Sequence, residues 1–139
     1  MADTTQFELV SPERLLVSEP VEMVVVPGTE GDFGVLPGHA PLISTLRPGV
    51  ITIYENRNPK EAIFVAGGFA EVTQERCTVL AEEAVRVAEA DRTTVETRVR
   101  EARAALEAVS EAEERRAAQR RVDVAEALMA AIDRGKAAL

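Results

Sequence analysis

"TEGDFGVLPGHAPLISTLRPGV", residues 29–50, sets four glycines, three prolines and the only histidine of the chain between two apolar runs. Glycine lets a backbone take positive φ or approach a neighbour closely, and proline holds φ near one value. So much backbone control around a lone imidazole serves either a loop that carries chemistry or a surface shaped for docking. The residues on either side decide which.

Outward from this stretch the first half reads as short strands between turns. "FELVS", "RLLVS" and "VEMVVV" precede it, and "GVITIYE", "AIFVAG", "FAEVT" and "RCTVLA" overlap or follow it. The runs are β-branched and apolar with partial two-residue alternation, as in Ile51 and Ile53 against Thr52 and Tyr54. Pro27-Gly28, Pro37-Gly38 and Pro48-Gly49 each predict a type II turn. Short strands with frequent turn signals predict a sandwich or flattened barrel. Cys77 alternates with Arg76 and Thr78 and shares a face with Val79, which assigns it to the core rather than to thiolate chemistry.

The second half has another composition. All seven prolines lie at or before Pro59, all five aromatics at or before Phe69, and residues 69–134 hold neither Gly nor Pro. Residues 1–90 carry 14 acids and 6 bases, net −8, whereas residues 91–139 carry 10 of each. We therefore divide the chain into an all-β domain, residues 1–88, and a helical domain, residues 89–139.

Asp91 is placed to cap a helix in which Val95, Val99, Ala102, Leu106 and Val109 recur at helical spacing. Ser110 and Glu113 form an S-x-x-E box that predicts a second helix at once. There Ala118, Val122, Ala125, Met129 and Ile132 repeat the spacing. Two such seams joined by a tight turn predict an antiparallel hairpin, with Val99, Leu106, Val122, Leu128 and Met129 among its packing residues. Val124, Leu128 and Ala131 form a further apolar row, about 110° around the second helix from its seam. Either the β domain covers that row or another protein does.

Chemistry is sparse. One histidine excludes a multi-histidine metal site. No nucleophile turn accompanies it, and Gly28-Gly31-Gly34 lacks the lysine of a Walker loop and the helix of a dinucleotide fingerprint. A net charge of −8 opposes binding to nucleic acid or anionic lipid. The apolar runs are too short to span a membrane, no charged-then-apolar leader opens the chain, and the single cysteine makes no internal disulfide. Docking is thus favoured over catalysis, with His39 either satisfied by local backbone or at an interface rim. Arg115, Arg116, Arg120 and Arg121 gather within two turns. Pairing with Glu111 and Glu114 is the ordinary use of such a cluster, and bidentate contact with an acidic partner is the alternative.

At these residues a family becomes recognisable. Residues 34–42, within "VVPGTEGDFGVLPGHAPLISTLRPGVI", closely match the G-x-x-P-G-H-A-P-L pattern of the epsilon subunit of the bacterial F-type ATP synthase, and "FVAGGFAEV", residues 64–72, resembles that family's second recurrent stretch. The resemblance spans essentially the whole chain. It implies a flattened sandwich of about ten strands followed by the hairpin, in a non-catalytic rotor subunit of the central stalk. The implied partners are the gamma subunit, the c-ring, and the alpha and beta subunits. The implied location is peripheral, at the cytoplasmic face of the bacterial inner membrane. By position, Asp32 and His39 match residues expected to face the c-ring. The resemblance also implies a hairpin able to inhibit ATP hydrolysis by bringing Arg115, Arg116, Arg120 and Arg121 to the catalytic head. Some members bind ATP through [IL]-D-x-x-R-A; here only Asp91 of that motif survives and Thr94 replaces its arginine, which counts against nucleotide binding, and no cofactor is expected. The competing class is a stand-alone β-sandwich binding module with a helical dimerisation tail.

Overall fold

The computed structural model describes residues 3–138, with side chains through residue 135. The chain divides into two compact units, one ending at Arg86 and one beginning at Val87. The first contains ten strands: β1 Thr5–Val10, β2 Leu15–Val21, β3 Met23–Gly28, β4 Gly31–Val35, β5 Leu42–Leu46, β6 Gly49–Glu55, β7 Asn58–Val65, β8 Gly68–Val72, β9 Arg76–Ala81 and β10 Ala84–Arg86. They form one sheet in the order β10-β7-β6-β3-β5-β8-β9-β1-β2, with β4 paired to β3 alone.

The sheet curls so that β2, at one end, approaches β6 near the other. All pairings are antiparallel except β1 with β9. Alternation explains the closure. Phe7 and Leu9 on β1, Ile51 and Ile53 on β6, and Cys77 and Val79 on β9 all turn inward and are fully buried, while their neighbours face out. Each large buried side chain adds on the order of 1.5–3 kcal/mol of hydrophobic stabilisation. Pro20 lies in β2, a terminal strand of the order, where a missing N–H is tolerated.

Of the three predicted type II turns only one forms. His39 N–H donates to the Leu36 carbonyl at 3.1 Å, with Pro37 and Gly38 between them and Gly38 at φ 81°. Pro27-Gly28 instead ends β3, and Gly49 begins β6. These two glycines are needed for close approach: a Cβ on Gly49 would stand 2.9 Å from Pro27 Cβ, and one on Gly28 would stand 2.8 Å from the Gly31 carbonyl oxygen.

The second unit opens with a 3₁₀ turn, Val87–Glu89, followed by α1, Arg92–Ala108, and α2, Ala112–Ala138. Asp91 caps α1, accepting from Thr94 N–H at 3.1 Å. α1 packs on α2. Val95 and Val99 are buried along one seam, and Ala118, Val122, Ala125 and Ile132 along the other. Leu106 and Met129 are half-buried.

The join between the helices differs from expectation. α1 ends at Ala108, so Val109 is its extended C-cap rather than a seam residue. The Glu111 carbonyl accepts the first bond of α2, from Arg115 N–H at 2.9 Å. That places the cap one residue beyond Ser110, so Ser110 and Glu113 form no capping box. Arg115 closes the turn instead: its Nη1 donates to the carbonyls of Leu106 at 3.2 Å and Val109 at 2.8 Å. Carbonyls left unpaired at a helix end accept a cationic donor readily.

Candidate functional site

The stretch that opened the sequence reading becomes one side of the β unit. β4 and β5 carry it, and the β3–β4 hairpin forms its tip. Asp32 sits near that tip, exposed, with Oδ1 accepting from Arg47 Nη2 at 2.5 Å. The other arm of the same guanidinium donates to the Gly28 carbonyl at 2.5 Å, and Arg47 N–H donates to the Pro27 carbonyl at 3.1 Å. Thr29 and Thr45 add a hydroxyl–hydroxyl bond of 2.9 Å. A planar guanidinium suits this fork, because its donors are held in fixed directions. Asp32 is therefore half of an ion pair, and sequence reasoning had missed Arg47 as its partner.

His39 lies in the loop after β4, at the far end of that strand from Asp32. The antiparallel register of β5 keeps them apart: Leu42 follows the His39 loop, whereas Leu46 adjoins Gly28 and Arg47. From Asp32 to Val35 alone the extended chain covers about 10 Å. The His39 Nδ1–H donates to the Ala40 carbonyl at 2.6 Å, which leaves Nε2 as the ring's outward group. Gly38 N–H, donating to the Gln74 carbonyl at 3.0 Å, ties this loop to the β8–β9 turn.

The outer face of β2, β1, β9 and β8 carries the feature that sequence reading did not single out. Leu15, Val10, Leu80 and Phe69 are successive register partners across β2, β1, β9 and β8. A bulge at the Val10 end of β1 brings Leu15 opposite Val10. Leu15 is 55% exposed, Phe69 46% and Leu80 41%. Val10, Ser11, Pro12, Phe69 and Leu80 line a shallow depression of about 340 Å³. Ile43, 71% exposed, stands on the same face of β5 two residues from Thr45, the partner of Phe69. The parallel outward row, Ser18, Glu8, Thr78 and Glu71, is polar, and there Glu8 pairs with Arg76 at 2.9 Å. A contiguous apolar row of this kind marks a docking surface more than scattered single residues do. The signal was present in the sequence: Phe69 and Leu80 fall on the phase that is polar elsewhere in β8 and β9.

Inside the sheet, Cys77 is fully buried and desolvation raises its thiol pKa to about 12, which leaves no thiolate for chemistry. Among the described residues, no group of three or more His, Cys, Asp and Glu is placed to hold a metal ion.

In the second unit the arginine cluster divides. Arg115 serves the helical turn, and the expected pairing with Glu111 does not form. Arg116, Arg120 and Arg121 are exposed, with no ion pair or hydrogen bond to any described residue. Asp91 is committed to Thr94, whose hydroxyl at 2.5 Å and backbone N–H both hold its carboxyl below the ordinary 3.8. Leu128 and Ala131 of the further apolar row are buried, and Val124 is half-buried.

Residues 4–87 match the family model described as the ATP synthase delta/epsilon chain β-sandwich domain. The chain belongs to the ATP synthase epsilon-chain family. A relative called ATP synthase epsilon chain, from Rhodospirillum rubrum, is 62% identical over 132 residues, covering 94% of this chain and 98% of its own length. Among solved structures, a chain of the Euglena gracilis mitochondrial ATP synthase, in its OSCP/F1/c-ring assembly, aligns with a TM-score of 0.79 at 27% identity over 95% of this chain and 83% of its own. A chain of the Tetrahymena thermophila central stalk and c-ring aligns with a TM-score of 0.63 at 13% identity over 92% and 96%, a likeness of fold. The family match ends at residue 87, one residue past the end of the β unit. The family model thus covers the unit that carries the apolar row, and the similarity to the epsilon-chain relative runs on through the helical unit.

Proposed function

We propose that the protein is a non-catalytic rotor subunit of an F-type ATP synthase, joining the gamma subunit to the c-ring in the central stalk. The observation that carries this reading is the outward apolar row of Leu15, Val10, Leu80 and Phe69, beside a parallel polar row. That row seats on gamma. The edge running from the Asp32–Arg47 tip along β4 and β5 to the His39 loop faces the c-ring. The row is held by the strand ladder and the two ends of the edge by the Arg47 fork and the Gly38–Gln74 bond, so docking costs little further ordering. The chain carries no chemistry of its own in this reading and is peripheral to the membrane through the complex, on the cytoplasmic face of a bacterial inner membrane.

The hairpin supplies regulation. Arg116, Arg120 and Arg121 are exposed and unpaired among the described residues, and they suit acidic segments of the alpha and beta subunits. Nucleotide binding is not part of the proposal, because Asp91 is occupied as a cap and Thr94 offers no forked donor.

Co-purification with gamma tests the coupling surface. Phe69→Asp and Leu80→Asp place charge on exposed positions, so both variants fold but lose gamma; retention of gamma by both overturns the assignment. Deletion of residues 91–139 tests regulation, with hydrolysis by the assembled enzyme rising if the hairpin inhibits. An unchanged rate removes inhibition and leaves the coupling role standing.

A further inference from the structure

Gly135 is the only glycine after residue 68. It lies inside α2, three residues before the end of that helix, and its φ is not among the positive ones. Conformational freedom is therefore not what glycine supplies here, and within a helix it is a poorer choice than alanine. Space is what it supplies: a Cβ at 135 would stand 3.3 Å from Val87 Cγ1. Val87 begins the 3₁₀ turn by which the chain enters the second unit, and that turn packs on α2.

Position 135 also extends the further apolar row of α2, since Val124, Leu128, Ala131 and Gly135 recur at spacings of four, three and four residues. The linker turn thus sits at the end of that row. On another side of α2 stand Glu126 and Asp133, seven residues apart and so on one flank. Arg103 pairs with Glu126, and Arg92, the first residue of α1, pairs with Asp133. Residues 133 and 135 do not share a helix face, so Arg92 and Val87 hold the last turns of α2 from two sides.

We infer that Val87 against Gly135, together with the Arg92–Asp133 ion pair, forms a clasp that makes closing of the helical hairpin and ordering of its linker a single cooperative step. When α2 leaves α1, the seat for Val87 leaves with it, and the 3₁₀ turn loses its support. When the hairpin closes, both contacts form together. The state of the hairpin is then expressed in residues 87–91. The inference concerns the isolated chain and does not depend on which partners the protein has.

Amide exchange in the full-length protein tests it. The reporter is Ala90 N–H, which donates to the Val87 carbonyl at 3.2 Å and closes the 3₁₀ turn. Gly135→Ala is expected to speed exchange there by roughly threefold or more, the size of a contact coupling. In a Val87→Ala background, where Cγ1 is gone, the same change should have no such effect. Asp133→Asn should also speed exchange at Ala90, although the ion-pair partner of Asp133 is Arg92, outside residues 87–91. Slower or unchanged exchange in Gly135→Ala, equal responses in both backgrounds, or an Ala90 amide indifferent to Asp133→Asn would each overturn the clasp.

Discussion

Arg86, the last residue of β10, donates from Nη2 to the Leu16 carbonyl of β2 at 3.2 Å while its Nε pairs with Glu61 on β7. One guanidinium thereby ties the two terminal strands of the sheet, which share no backbone ladder. A side chain, rather than a backbone ladder, bridges the sheet at this seam.

Arg86→Ala should consequently lower the stability of the β unit by about 1–3 kcal/mol, since it leaves a half-buried carboxylate and a carbonyl without their donor. Arg86→Lys keeps the charge but cannot reach both acceptors in one geometry, so an intermediate loss is expected. Urea denaturation of the three proteins measures this. Equal midpoints would mean that the strand ladder closes without the seam contact.

Two glycines separate backbone strain from collision. Gly38, at φ 81°, has open space where a Cβ would point, so Gly38→Ala should fold with a loss of roughly 1–2 kcal/mol from strain alone. Gly68, at φ 125°, would place a Cβ 2.0 Å from the Leu80 carbonyl oxygen. Gly68→Ala should break the β8–β9 pairing beneath the apolar row and fail to give a cooperative thermal transition. Similar melting of the two variants would contradict the close approach.

Much of this architecture was legible in one sequence because two periodicities meet near Asp91. The strands and hairpin follow from spacing, and Asp91 caps as its side chain predicts. Turn chemistry was read too literally: Pro-Gly marks a type II turn at Pro37 but close packing at Gly28 and Gly49, and only tertiary neighbours distinguish these. The Ser110 box lost to Arg115, whose long side chain satisfies the end of α1 from the next helix. The apolar row needs strand order to be seen, because Val10, Leu80 and Phe69 come from distant parts of the chain. Arg47 and Asp32 are likewise joined only by the curl of β3 and β4 toward β5.

Cys77 gives a prediction about reactivity and alkaline stability. Burial raises its thiol from 9.0 to about 12, so the folded protein holds that proton more tightly than the unfolded chain. The native thiol should resist alkylation near pH 8 and react only at the rate of unfolding. A raised folded pKa favours the native state fully below about 9 and progressively less as pH rises toward 12. Cys77→Val should remove that part of the alkaline decline. Rapid alkylation of native protein would show the thiol to be accessible.

Asp91 gives the opposite sign at acid pH. The Thr94 hydroxyl, and after it the Thr94 N–H, hold its carboxyl below the ordinary 3.8. A depressed folded pKa contributes stability that is present above the unfolded value and lost as pH falls through the folded one. The start of α1 should accordingly loosen only in strong acid, below about pH 4. Asp91→Asn keeps a capping oxygen without the titration, so it should preserve the helix while flattening this acid dependence. Thr94→Val removes the hydroxyl and should return the Asp91 carboxyl toward its ordinary value, read by NMR titration of the side chain. If the Asp91 titration did not move in Thr94→Val, the hydroxyl would not be what depresses it. The Thr94 N–H would then be what holds the carboxylate, which stays committed to the cap of α1.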